Sequence, residues 1–309
     1  MNPTPFCLSN NLRRPILLAQ LLDYLCIAAS SIWGALNSNF AIAVIGGLAG
    51  AFGGALGAQH IVERSKQRDD LLKELRNTNA ATMVAFTACN TALALKKQHV
   101  QPMYELFAHE KEALRNFKEQ RATGQRQGNA EYRFVTDLRV FPAAVVPIET
   151  LKDLAFNKIS AYGRALALVS VLEQSLLGLK EAIMKRDLLV QRFASGGIPA
   201  EQAHLYYFGM PLPTGDTNQE YPDLVEAIHS YVDDIAFFSA LLCDDLIAHG
   251  RRIHKAFAQK FGKGAPSVST ADFSGPRQTG LLPPDTQYAD WLNAFAEQDS
   301  GGKVEGRKK

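Results

Sequence analysis

The residues best placed to do chemistry are two Glu-x-x-His pairs, Glu201 with His204 and Glu226 with His229, the second followed one helical turn later by Asp233. In helical bundles such pairs hold di-iron centres, provided that two further carboxylates face them from neighbouring helices. Here the first pair lies on a short segment beside a loop, and Glu173 and Glu181, the nearest candidates for the extra carboxylates, are not at matched positions. The pairs therefore read as solvated helix faces. Asp245 and His249 are also one turn apart, with His254 further along, yet no Ser or Cys is placed beside them as a nucleophile. They read as a surface ion pair. No GxxxxGK[ST] phosphate loop is present. The basic clusters Lys96-Lys97-Gln98-His99 and Arg251-Arg252 lack interleaved aromatics, so they give no nucleic-acid footprint. No catalytic, cofactor-binding or metal-ligating residue is assigned, and an enzyme is not the expectation.

The chain has 4 cysteines, Cys7, Cys26, Cys89 and Cys243, with no CxxC spacing. That excludes a disulfide-stapled secreted domain and a structural zinc site, and suits a reducing compartment. Cys89 and Cys243 read as small buried apolar residues. With a formal net charge of +2, composition names no partner.

The elements that would carry these residues are distributed unevenly. Between residues 16 and 62 the only formally charged residue is Asp23, whereas Lys, Arg, Asp and Glu recur every few positions from Glu63 onward. Residues 40–58, FAIAVIGGLAGAFGGALGA, have no charge and the length to cross a hydrocarbon core of about 30 Å as a helix. Residues 16–36 have spanning length too, but contain Gln20 and Asp23. The Leu and Ile of this segment contribute about 0.3–0.6 kcal/mol each, against about 2.5–3.5 kcal/mol for a central Asp, so its insertion is marginal alone. The expectation is a transmembrane hairpin over 15–62, with spans at about 16–36 and 40–60 that enter together and turn at Asn37-Ser38-Asn39. The rival is a cleaved signal peptide, with Arg13-Arg14 before the apolar run and Ala28-Ala29-Ser30 after it. Positive charge at Arg13 and Arg14 and from Arg64 to Arg76 puts both flanks in the cytoplasm, and a bacterial inner membrane is the expected location.

Gly46, Gly50 and Gly54 recur every four residues, and Gly53 and Gly57 repeat the spacing, a glycine zipper that lets another helix approach closely. The partner is either the first span or another copy. Asp23, at membrane depth, is either a functional group facing a partner or an Asp that reaches the headgroups.

Beyond the hairpin an all-α fold is expected. Residues 63–122 read as a stalk about 55 Å long and a second helix. Leu72, Leu75, Asn79, Thr82, Phe86, Cys89 and Leu93 step three and four alternately as a coiled-coil seam, in which Asn79 and Asn90 would fix register. Residues 123–147 read as irregular, with an alternating YRFVTDLRVF that suits a short strand or extended arm. Residues 148–262 read as an antiparallel bundle of two long helices, 148–193 and 222–261, the second with a stripe of Leu224, Ile228, Tyr231, Ile235, Phe238 and Leu242. The remainder, 263–309, reads as a flexible tail with a short amphipathic helix at 286–298. Together these features predict a membrane-anchored helical interaction or scaffold protein whose partners are membrane lipid and either further copies or a cytoplasmic protein, with no nucleic acid. The alternative is a pore-forming or membrane-perturbing effector regulated by its bundle.

Overall fold

The computed structural model describes residues 39–125 and 131–300. It is 75% helix, with no strand among the described residues. Packing divides the chain into two units, 1–67 and 68–309. Helix α1 (Asn39–Leu95) runs through the boundary in sequence and is followed by a π-helical turn, Lys96–Val100, and by α2 (Gln101–Ala122). Then come α3 (Ile148–Asp153), a second π turn (Leu154–Lys158), α4 (Arg164–Ala194), α5 (Ala203–Phe208) and α6 (Glu220–Phe261). The chain closes with α7 (Ser274–Gln278), a 3-10 turn (Asp285–Tyr288) and α8 (Ala289–Ser300).

In the first unit, the α1 residues Leu48, Phe52, Leu56, Ile61 and Val62 are all exposed, Phe52 at 68% and Ile61 at 70%. The glycines of this segment are uncovered too. A Cβ built at Gly46, Gly47, Gly50, Gly53, Gly54 or Gly57 would meet nothing within 4 Å. Among the described residues no helix is long and apolar enough to cross a membrane. This does not support the span expected at 40–60, and the reason lies in the same glycines. Each lengthens the helix by about 1.5 Å while adding no side chain to the apolar surface, so length grows without transfer free energy. Residues 16–36 and Asp23 lie outside the described residues.

In the second unit, α4 and α6 form the most extensive helix pair. Leu168, Val169, Leu172 and Leu179 of α4 meet Ile228, Val232, Ile235 and Leu242 of α6 in one buried cluster. Gly178 explains the closeness of this pair: a Cβ there would run into the Tyr231 ring. A mid-helix glycine, which costs about 1 kcal/mol against alanine, is offset by the packing that it permits.

The stalk expected from residue 63 is, from Leu75 on, part of this core. Ala81, Ala85, Ala88, Cys89 and Ala92 are buried, and Cys89 Sγ and Cys243 Sγ donate to the carbonyls of Ala236 and Thr82, joining α1 to α6. The π turn at Lys96–Val100 follows from Pro102. Its ring clashes with the carbonyl four residues back and it offers no N–H, so the ladder widens, and the Gln101 N–H bonds Lys96 O instead.

Two further expectations are corrected. The helix drawn from 148 to 193 is broken at 159–163, where Ile159 is extended and Gly163 takes φ 60° and ψ −126°, a conformation open to glycine. The tail drawn as flexible is held over residues 267–282: Asn79 Nδ2 donates to Ser267 O at 2.8 Å, Asn79 Oδ1 accepts from Ser269 N–H at 2.9 Å, and Phe273 and Leu282 are buried. Further on, Tyr288 stacks on Phe237 with ring centroids 3.9 Å apart.

Candidate functional site

The Glu-x-x-His residues do not converge. The His229 ring stacks on Tyr104, centroids 4.1 Å apart. Burial, then a hydrogen bond with Glu226, raises the Tyr104 hydroxyl above its ordinary range. Asp233 turns elsewhere, to Lys96. At the other pair, burial first and then Lys118 lower His204. Among the described residues no group of three or more His, Cys, Asp and Glu side chains is placed to hold a metal ion.

Asp245 accepts two hydrogen bonds from the Arg164 guanidinium, at 2.9 and 2.5 Å, so it is not paired with His249. His249 instead meets Glu74 at 3.1 Å. Ser160 Oγ donates to the same Glu74 oxygen, and its backbone N–H donates there at 3.0 Å. The order is therefore Ser, carboxylate, His. A nucleophile needs the imidazole next to the hydroxyl, with the carboxylate behind it; this arrangement instead ties α1, the 159–163 break and α6 together. Burial raises the Glu74 carboxyl, but the hydrogen bonds from Ser160, followed by His249, outweigh it and hold the group below its ordinary 4.5.

A depressed folded-state pKa gives stability that is present above the unfolded value and is lost as pH falls through the folded one. Acid unfolding should accordingly steepen below about pH 4.5. Glu74→Gln should flatten that limb in a urea titration repeated from pH 6 to pH 3, and an unchanged limb would show that Glu74 contributes nothing to it.

Cys89 and Cys243, the two cysteines among the described residues, are buried. Burial pushes the Cys89 thiol up to about 11 and raises Cys243 as well, so neither carries the thiolate needed for nucleophilic work at neutral pH. The seam asparagines part company: Asn79 binds the 267–269 segment of its own chain, and Asn90 is exposed.

Two buried polar features have no local sequence signal, because each joins distant segments. Lys96 Nζ lies 2.6 Å from Asp233 Oδ1, with both side chains less than a tenth exposed. Lys96 also donates to Leu281 O at 3.0 Å. Arg186 is wholly buried. It donates to Arg139 O at 2.8 Å and Asp137 O at 2.7 Å, and its guanidinium carbon sits 4.3 Å from the centre of the Phe141 ring. Tyr221 Oη donates to the same Asp137 carbonyl at 3.3 Å. One arginine thus pins the irregular arm, residues 131–147, against α4 and α6.

That arm forms one wall of a surface groove of about 760 Å³. Phe141, Leu179 and Ile183 line its buried side, and Ala143, Ala144 and Val145 the arm side. Along α4 it is edged by Leu177, Met184 and Leu188, each 55–56% exposed. Compared with protein families, curated proteins and solved structures, the chain matches none. Two of the apolar surfaces exposed among the described residues are the α1 set from Leu48 to Val62 and the groove beside α4.

Proposed function

We propose that the chain is a non-enzymatic helical interaction protein. It assembles with further copies through the glycine face of α1 and is held at a membrane by residues 16–60 acting as a paired hairpin. The carrying observation is the uncovered apolar run on α1, from Leu48 to Val62. Scattered exposed apolar residues are ordinary, but a continuous set along one helix marks a surface with a partner. Gly50 and Gly54 lie within the same run, with Gly46 just before it, and the three leave a path on which a second helix can sit backbone to backbone. Neither apolar segment is strong alone, which is why the two are proposed to enter together: residues 40–60 are diluted by glycine and residues 16–36 carry Asp23. Buried ion pairs and hydrogen-bonded carboxylates in the second unit serve packing, which leaves surfaces rather than a reaction centre to carry function.

The same exposed run supports a second reading, a membrane-perturbing effector. Dye leakage in cells expressing the full chain separates the two. An interaction protein leaves permeability unchanged. Leakage that persists after deletion of everything beyond Arg76 would overturn the proposal, because the hairpin alone would then breach the membrane.

A further inference from the structure

We propose that the C-terminal end of α6 is a docking surface for anionic lipid headgroups. This rests on the membrane-held reading but uses residues outside the hairpin. Between Asp245 and Asp272 the chain has five Lys and Arg, at Arg251, Arg252, Lys255, Lys260 and Lys263, and no Asp or Glu. The five exceed the formal net charge of +2 of the whole chain. All are exposed, while Phe257 among them is buried and anchors the helix end. The helix dipole accounts for part of the set. It favours cations in the last turn, which holds Lys260, whereas Arg251 and Lys255 lie about two to three turns before Phe261.

The groups facing this end do not neutralise it. Helix α6 runs back along α1, since Asp233 meets Lys96, Cys243 meets Thr82 and His249 meets Glu74. The part of α1 reached last, residues 68–76, is balanced within itself: Arg68, Lys73 and Arg76 stand against Asp69, Asp70 and Glu74. Glu74 is further held by His249 and by the Ser160 N–H. On the segment before α4, Asp153 pairs with Lys158 at 3.9 Å, and Arg164 takes Asp245. Arg252 meets neutral groups, His249 Nδ1 at 3.4 Å and the Tyr162 ring at 5.9 Å. The excess therefore belongs to the end of α6 and is open to solvent.

Its layout favours a plane of charge over a strand of it. At about 100° per residue, Arg251 and Lys260 point to opposite sides of the helix, so the cations ring its end instead of forming a track. A polynucleotide is held by a track with successive stacked rings, whereas a headgroup layer met by a ringed end engages every side. Tyr162, 73% exposed beside Arg252, is of the amphipathic kind that membrane interfaces favour. Placement agrees: α1 enters this unit at Arg68, shortly after its exposed apolar run ends at Val62 in sequence. Clusters of Lys and Arg beside a membrane anchor bind anionic headgroups, each charge raising affinity about fivefold.

Lysine acylation read by mass spectrometry tests the contact on the full chain. The chain is reconstituted with phosphatidylcholine vesicles, or with phosphatidylcholine and phosphatidylglycerol at about three to one. Reactivity is taken relative to Lys111 of α2, which lies by Phe107 and so near Tyr221 at the other end of α6. The expected result is that Lys255, Lys260 and Lys263 react at least threefold more slowly on the anionic vesicles, and that the difference disappears at about 1 M salt. Protection of Lys263 should be lost in the triple variant Arg251→Gln, Lys255→Gln and Lys260→Gln with an unchanged circular dichroism spectrum. Equal reactivity on both vesicles, or protection that survives in the variant, would overturn the proposal. So would equal protection by a DNA duplex without vesicles at the same salt. Sedimentation of the same samples keeps the two readings apart: a chain that sediments with neutral vesicles but is unprotected on anionic ones retains its hairpin and lacks this contact. A chain that is protected on anionic vesicles, yet does not sediment with neutral ones, has the contact without the hairpin.

Discussion

Lys96→Met should destabilise the second unit by about 3–5 kcal/mol, because it leaves the Asp233 carboxylate buried without its counter-charge. The Leu281 carbonyl loses its ammonium donor in the same step. For a unit of this size, a loss of that magnitude lowers the melting temperature by very roughly 6–20 °C. Adding Asp233→Leu removes the orphaned charge and should recover much of the loss. A single variant within about 1 kcal/mol of wild type in urea unfolding would show that the pair behaves as an exposed one.

Arg186→Met carries the second large effect. Two carbonyls, those of Asp137 and Arg139, lose the hydrogen bonds of the guanidinium, Asp137 O keeping the Tyr221 hydroxyl; a hydrogen bond to a charged group is worth about 1.5–3 kcal/mol, so a loss of about 2–5 kcal/mol is expected. Arg186→Lys should lose most of the same stability although it keeps the charge, because an ammonium cannot present the planar fork that meets both carbonyls and stacks on Phe141. Limited proteolysis gives a local reading: both variants should be cut within residues 131–147 at protease levels that leave the wild type intact. Cleavage no faster than wild type would mean that other contacts hold the arm.

Much of the helical pattern was legible because it depends on local spacing. The Leu224-to-Leu242 stripe marks the buried face of α6, and the alternation from Leu75 to Leu93 marks the buried face of α1. What that face meets was not legible. A polar residue in an apolar seam looks the same whether it faces a partner helix or a loop, and Asn79 faces the loop at 267–269. The segment from 263 to 285 was misread for a related reason. Its Gly, Pro, Ser and Thr describe the freedom of an isolated chain, whereas its fixed path comes from Asn79 and from burial of Phe273 and Leu282. The break before α4 needed the conformation of Gly163, which its identity permits without requiring. Lys96 with Asp233, and Arg186 with the arm, join segments far apart in sequence, so no local pattern encodes them. The groove is the plainest case: only the path of the arm decides which apolar residues of α4 stay uncovered.

The most direct test of the account is the mass of the full chain with and without Gly50→Ile, measured by light scattering in detergent and by cysteine crosslinking in intact membranes. Among the described residues a Cβ at Gly50 meets nothing within 4 Å, so the substitution leaves the second unit alone and acts on whatever packs against this part of α1. In a close-packed helix interface the added bulk should cost about 1–3 kcal/mol, weakening association about tenfold or more, while Gly47→Ile on the neighbouring stripe should matter less. The account predicts a wild-type oligomer that Gly50→Ile dissociates; a wild-type chain that is monomeric by both methods would contradict it.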